Sequence, residues 1–483
     1  MKGIFISFLF CCSSVFGQNV YLAHEVEQPV EPSGGIGIFN QFIAANLQIP
    51  FKSAVRGIGG RVYIKGVVET DGTMTDLQVI KGLDPQCDQE ALRVLTLYKA
   101  WKPAVKGGEK VRQYMSYPVT FKAEPPINFD STSYGITDYY DKKFYATSDT
   151  EKAEYRVTRY LDERGFLKSD VVSEQKHGKK WSKMVTVPFK KEEVWYKHGY
   201  TANKMDSVRA YQISAKDDNL TSYVSEATFL PDGRLLAETQ YGSNNKKSKL
   251  KEFDPNGLLR KLRIYEDSSS TEIVWYDNGQ LKSVVEYPAE PNLTGKDLVY
   301  INSWEKDGTY RVKDGNGIWR SEGSEFHGKT YIEGGQVADG HKEGEWTGKW
   351  NDGQILYREI YAAGSLLEGA SYENGEETKY SKAIVQPEFK GGTTNFYKFL
   401  GQNMVYPIEA ARRGMGGKVL LSFVVCEDGS LCDYKVEKGL GFGLDDEALR
   451  VVKKMTNHWE PGEVRGKKVK VKYNLPINFQ IQR

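Results

Sequence analysis

Cys426 and Cys432 are the residues of this chain whose type and spacing point most directly to covalent chemistry. They flank the turn segment 427–430, so a hairpin there would bring the two thiols face to face. The outcomes are a cross-hairpin disulfide or two free thiols on an exposed strand face. Cys87 has no evident partner. Other reactive types do not assemble. The six histidines, at 24, 177, 198, 327, 341 and 458, include no His-x-x-x-His pair and no Cys/His metal spacing. No Gly-x-Ser-x-Gly elbow occurs, and Gly34–Gly37 lacks the Lys-Ser/Thr of a phosphate loop. Adjacent acids such as Asp445-Asp446 and Glu192-Glu193 read as a helix start and a solvated run. No cofactor or metal is expected, and the chain reads as non-catalytic. An enzyme would have to gather carboxylates from distant positions.

The elements around the cysteine pair occur twice. Pro50, Gly59-Gly60, Asp71-Gly72, Leu83 and Glu90 to Val94 are matched by Pro407, Gly416-Gly417, Asp428-Gly429, Leu440 and Glu447 to Val451. The constant offset is 357 residues (407 − 50). One extra residue before Trp459 raises it to 358, which aligns Trp101-Lys102-Pro103 with Trp459-Glu460-Pro461. In the second copy, Phe396, Phe399, Leu400 and Met404 fall at helical spacing over 394–404. Pro407 opens a short helix that stops at Gly414. Segment 418–425 is a strand, Asp428-Gly429 a hairpin turn, and 431–437 the returning strand. Asp445 reads as the N-cap of a helix over 447–455 that turns Leu449 and Val452 inward. Segment 469–479 is the last strand. The order helix, strand, strand, helix, strand defines an α+β unit.

The run Pro387 to Gly392, then Phe399-Leu400, Tyr406-Pro407, Gly416-Gly417, Asp428-Gly429, Leu444 to Arg450, Trp459 to Pro461 and Leu475 to Phe479 resembles the C-terminal domain of the TonB family. The resemblance covers 384–483. The first copy, 30–123, keeps Gly34-Gly35, Pro50, Gly59-Gly60, Asp71-Gly72, Glu90 to Arg93, Trp101 to Pro103 and Tyr117-Pro118. It has Ile49 in place of the tyrosine before proline, and Cys87 in place of Leu444. The resemblance implies the α+β fold and binding of extended peptides of outer-membrane or periplasmic proteins by strand addition to a sheet edge. The backbone edge of the last strand would then be the site, at Val469, Lys470, Val471, Lys472, Tyr473 and Asn474 in the second copy and Val111, Arg112, Gln113 and Tyr114 in the first. Lys470, Lys472 and Tyr473 would tune specificity. The repeated glycines and tryptophans read as structural.

Residues 1–17 read as an export signal: Lys2, an apolar stretch from Ile4 to Phe10, and a cleavage site after Gly17. The apolar stretch is shorter than the ~20 residues that span a bilayer, so a cleaved signal and no stable membrane span are expected. The alternatives are an uncleaved anchor or a lipoprotein through Cys12. Energy-transducing TonB proteins keep an N-terminal membrane helix and a long proline-rich spacer, and neither is evident here. The formal charge of +2 speaks against a nucleic-acid partner.

Between the copies, residues 130–380 read as an all-β repeat array. Asp232-Gly233, Asn256-Gly257, Asn278-Gly279 and Asp352-Gly353 are each followed eight residues after the glycine by a tyrosine. Successive glycines lie 24 (257 − 233) and 22 (279 − 257) residues apart. These units resemble MORN-type β-hairpin repeats. Trp275, Trp346 and Trp350 read as stacked core or as the lining of a glycan or protein site. The leading expectation is a periplasmic scaffold or adaptor. The alternatives are a TonB-type energy transducer, and a glycan- or peptidoglycan-binding or processing protein acting through the array.

Overall fold

The computed structural model describes residues 19–122, 128–198, 206–215, 225–242, 246–288, 298–326 and 329–480. The expected export signal, 1–17, lies outside the described residues. The chain divides into two compact units, with the boundary inside the strands Val299–Trp304 and Tyr310–Lys313.

The first unit contains the first copy of the module. Helix Ile36–Asn46 is followed by strands Gly60–Val68 and Met74–Lys81, helix Pro85–Leu97 and the long strand Glu109–Phe121. The expected order is present. Gly60–Val68 is central, pairing antiparallel with Glu109–Phe121 on one side and Met74–Lys81 on the other. Both helices bury one face, and Phe39, Phe42, Val94, Leu95 and Tyr98 are fully enclosed. Each such large apolar side chain contributes about 1.5–3 kcal/mol on leaving water.

The expected array from residue 130 is divided. Segment 129–187 makes a five-stranded antiparallel sheet of its own. A longer meander starts at Phe189–His198 and runs strand by strand to Leu281–Pro288. Gly233, Gly257 and Gly279 take positive φ of 89°, 83° and 86° at its turns, where a side chain is disfavoured. The strands Leu235–Tyr241, Leu259–Tyr265 and Leu281–Pro288 follow those turns.

In this unit the module packs on the meander's turns through its helices. Asn46 Oδ1 accepts from Leu259 N at 2.8 Å, and Asn278 O accepts from Lys99 N at 2.8 Å. Gly279 sits so close to Phe42 and Tyr98 that a Cβ would lie 2.8 Å from the Phe42 ring. Phe253, Leu259, Trp275 and Trp304 join the helices in one continuous core.

The second unit repeats the plan with other contacts. A meander runs from Asn316–Phe326 to Glu376–Tyr380. The second module follows: helices Gly392–Asn403 and Ile408–Arg412, strands Gly417–Val425 and Leu431–Lys438, helix Leu444–Lys454 and strand Val471–Phe479. Two local expectations change. The helix at 444 is capped by Gly443, while Asp445 accepts from Leu440 N at 2.7 Å and Gly441 N at 3.0 Å, bracing the loop before it. Its buried face is Ala448, Val451 and Val452, with Leu449 half-buried.

Candidate functional site: the two strand edges

The residues that both copies retain have local structural roles. Gly72 and Gly429 have φ of 83° and 80°, and a Cβ on either would lie 2.5 or 2.4 Å from the carbonyl oxygen of Trp101 or Trp459. Gly60 and Gly417 similarly leave room for Leu83 and Leu440. Glu90 and Arg93 form an ion pair at 2.6 Å, and Arg93 donates to Asn46 O at 2.7 Å. Glu447, Arg450 and Asn403 O repeat this at 2.6 Å each. These pairs pin the end of the first helix to the helix that follows the hairpin, Pro85–Leu97 in one copy and Leu444–Lys454 in the other.

The edges differ. In the first copy, Val20–Tyr21 lies parallel on the outer side of the last strand, with Val20 opposite Arg112 and Tyr21 opposite Gln113. Lys106 Nζ stands 4.1 Å from the centre of the Tyr21 ring. Further along the same segment, Glu27 N donates to Val105 O at 2.9 Å, and Val105 N to Gln28 O at 2.8 Å. Gln113 is 2% exposed, and its Oε1 accepts from Val30 N at 3.1 Å. Arg112 makes a two-pronged ion pair with Glu69 at 2.7 and 2.8 Å. Glu69 also accepts from the Thr75 hydroxyl. The Arg112 bond, ahead of the Thr75 bond, outweighs burial and holds the Glu69 carboxyl below its usual range. Val111 is half-buried and pairs with Ala104, and Tyr114 is exposed beneath Lys65. At Arg112 and Gln113 the expected open edge is therefore already occupied by the chain itself.

In the second copy, Val471–Phe479 pairs with Gly417–Val425 on its inner side, Val425 opposite Val471. Among the described residues no strand pairs with its outer side. Val469 is not part of this edge. It belongs to the short strand Lys467–Val469, pairs with Gly462 and is buried. Lys470 is exposed at the break between the two strands, Val471 is half-buried, and Lys472 and Asn474 are exposed. Tyr473 is half-buried against Phe423 and Trp459. Lys472 Nζ lies 3.2 Å from Glu437 Oε1, and Lys435 lies 2.7 Å from the other oxygen. Lys435, Ser422 and Lys472 together hold the Glu437 carboxyl down to about 2. Cys426 and Cys432 are thiols in contact, their Sγ atoms 2.7 Å apart.

The segment matching Val20–Tyr21 in the second copy is Glu377-Thr378. It is engaged elsewhere, inside strand Glu376–Tyr380, paired with Tyr372 and Ser371.

Sequence reasoning missed Arg465, at the tip of the turn before the edge strand. Its guanidinium lies 3.6 Å from the centre of the Tyr357 ring, and Nε donates to Glu359 Oε1 at 3.0 Å. Glu359 is fully buried and also accepts from the hydroxyls of Tyr361 at 2.9 Å and Tyr380 at 2.8 Å. Burial opposes the charge of Arg465, but the surrounding tyrosines and carboxylates raise its pKa overall. The turn's signal was its arginine: the first copy has Gly107 at this position, with nothing within 4 Å of a built Cβ. The cluster anchors the second module to its own meander.

Trp275 and Trp346 are core, 1% and 0% exposed. Trp350 is half-buried and lines an open cleft of about 570 Å³ with Trp319, Arg320, Ile332, Glu345 and Lys349. Among the described residues no group of three or more His, Cys, Asp or Glu side chains is placed to hold a metal. No helix there is long and apolar enough to cross a membrane.

Each module is thus a small α+β domain whose last strand lies at or beside a sheet edge. Residues 46–123 and 402–481 both match the family model of the Gram-negative bacterial TonB protein C-terminal region, so the chain carries two TonB C-terminal domains. A solution structure of the TonB C-terminal domain of Helicobacter pylori is similar at 28% identity, over 18% of this chain and 90% of that one, with a TM-score of 0.16. No curated protein matches the sequence.

Proposed function

We propose that this chain is a non-catalytic periplasmic scaffold or adaptor whose second TonB-type domain binds extended segments of outer-membrane or periplasmic proteins. The bound segment adds as a strand along Val471–Asn474, with Lys470 and Lys472 beside it. One observation carries the reading: in the first copy a strand already lies on the corresponding edge, at Arg112 and Gln113, and that strand is part of the chain itself. The module's edge therefore accepts a short extended segment, and in the second copy it is left without one among the described residues. An unpaired edge is an aggregation hazard unless it is guarded or used, and exposed lysines serve either purpose. Export through a cleaved segment 1–17 would deliver the domain to the compartment that holds such partners.

The test is capture of envelope proteins by the full chain, compared with Lys472→Pro and Asn474→Pro, each of which removes a backbone donor from the strand Val471–Phe479. Loss of capture by variants that keep the wild-type circular dichroism is expected. Undiminished capture by those folded variants removes strand addition as the mode. The cleft bearing Trp319 and Trp350 favours a second reading, glycan binding by the array. Muropeptide binding that survives Trp350→Ala counts against that reading.

A further inference from the structure

We propose that Cys426 and Cys432 are a redox pair that closes into a disulfide across the end of the second module's central hairpin. The pair stands out when the copies are superposed by sequence offset. Cys426 replaces Glu69, Cys432 replaces Thr75, and Lys470 replaces Arg112. In the first copy these positions form a polar clasp, Thr75 to Glu69 to Arg112, that spans all three strands of the module. The second copy has given up that clasp and placed two thiols in contact in its stead, with Sγ atoms 2.7 Å apart. The backbone is the same in both: Asp76 and Asp433 take φ of 50° and 52° at the same bulge, and Gly72 and Gly429 turn the hairpin at 83° and 80°. Both thiols are partly accessible, so a reagent reaches them without unfolding.

The step is thiol–disulfide exchange with an external disulfide, small or protein-borne. One protein thiolate attacks it, forming a mixed disulfide and releasing one thiol. The second protein thiolate displaces the other. Two protein thiols and one external disulfide become one protein disulfide and two external thiols. The Cys432 thiol is pushed up to about 11, first by its hydrogen bond with Cys426, so exchange is slow at neutral pH and quickens as pH rises. Oxidation puts a covalent two-strand clasp beside the edge strand, where the first copy has a polar three-strand one. The pair is independent of whether that edge binds peptides.

The experiment uses the reduced full chain, equilibrated with a series of glutathione disulfide to glutathione ratios, quenched with N-ethylmaleimide and digested with trypsin. Both cysteines fall in one peptide, 419–435. The expected result is loss of both maleimide adducts together, leaving a peptide lighter by about 2 Da than the unmodified dithiol form. Reductant should then lower the unfolding midpoint of the oxidised wild type and leave the double variant C426E/C432T, which copies the first module, unmoved. A peptide that carries two maleimides, or separate glutathione adducts and no bridged form, at every ratio overturns the proposal. So does a bridged form that reductant opens with no change in midpoint.

Discussion

In the first module the strand Glu109–Phe121 carries Val20–Tyr21 on its outer side, while the matching strand of the second module, Val471–Phe479, carries no described strand. The cause is upstream of both modules. The residues before the first helix fold back over their own domain in one case, and complete a meander in the other, where Thr378 pairs with Ser371. The anchoring is reversed as well. The first module packs on its meander through its helices, at Asn46, Phe42 and Tyr98, and its hairpin tip is a bare Gly107. The second drives Arg465 from that same tip into a buried cluster of acids and tyrosines. One scaffold thus docks through two different faces, while the segment upstream of each module decides whether its edge is covered.

Four tests bear on this contrast, in order of falling effect. Arg465→Ala leaves Glu359 buried without its cation, so the second unit should lose about 3–5 kcal/mol in denaturant unfolding. At the equivalent position, Gly107→Ala should cost only about 1–2 kcal/mol, the strain of its positive φ alone. Gly72→Ala and Gly429→Ala should each cost about 1–3 kcal/mol or more, since both meet a tryptophan carbonyl. Unequal losses would show that the two turns are not equivalent.

The third contrast is in acid. Glu69 and Glu437 both have depressed carboxyl pKa values in the folded chain, through Arg112 first and Lys435 first respectively. A depressed carboxyl contributes stability that is present above its unfolded value and lost as pH falls through its folded value. Carbon-detected titration should find Glu437 near about 2. Lys435→Met should raise it more than Lys472→Met, and an unmoved Glu437 would refute that assignment. The smallest effect is expected at the closing strand, where Lys106→Ala removes a cation over Tyr21 worth about 0.5–1 kcal/mol. Faster amide exchange at Arg112 and Gln113, with global stability nearly unchanged, would report it.

Much of this was legible in the sequence because the duplication marks what the scaffold needs. The glycines at 60, 72, 417 and 429, the tryptophans at 101 and 459, and the Glu-x-x-Arg pairs lie where local sterics and short-range pairing constrain them. The helix and strand order follows from the same signals. The closing strand was not legible. Val20–Tyr21 is two residues long, and its partner lies some ninety residues downstream in sequence, so no periodicity announces it. Arg465 differs from Gly107 of the first copy, but an arginine in a polar turn looks solvated until the buried Glu359 it meets is known. From sequence Val469 reads as part of the edge because the strand looks continuous, whereas Lys470 breaks it into two. The division of 129–187 from the later meander was hidden because residues 130–220 are charged and tyrosine-rich and carry none of the Asp/Asn-Gly turns that mark the later strands.

The first edge is closed by the chain's own strand Val20–Tyr21, and among the described residues the second carries no strand. Amide hydrogen exchange of the full chain, resolved residue by residue, tests it most directly. The prediction is slow exchange at Arg112 and Gln113, fast exchange at the outward amides of 471–474, and fast exchange at both edges after deletion of residues 19–22. Equal protection at the two edges in the intact chain, or an unchanged first edge after the deletion, would contradict it.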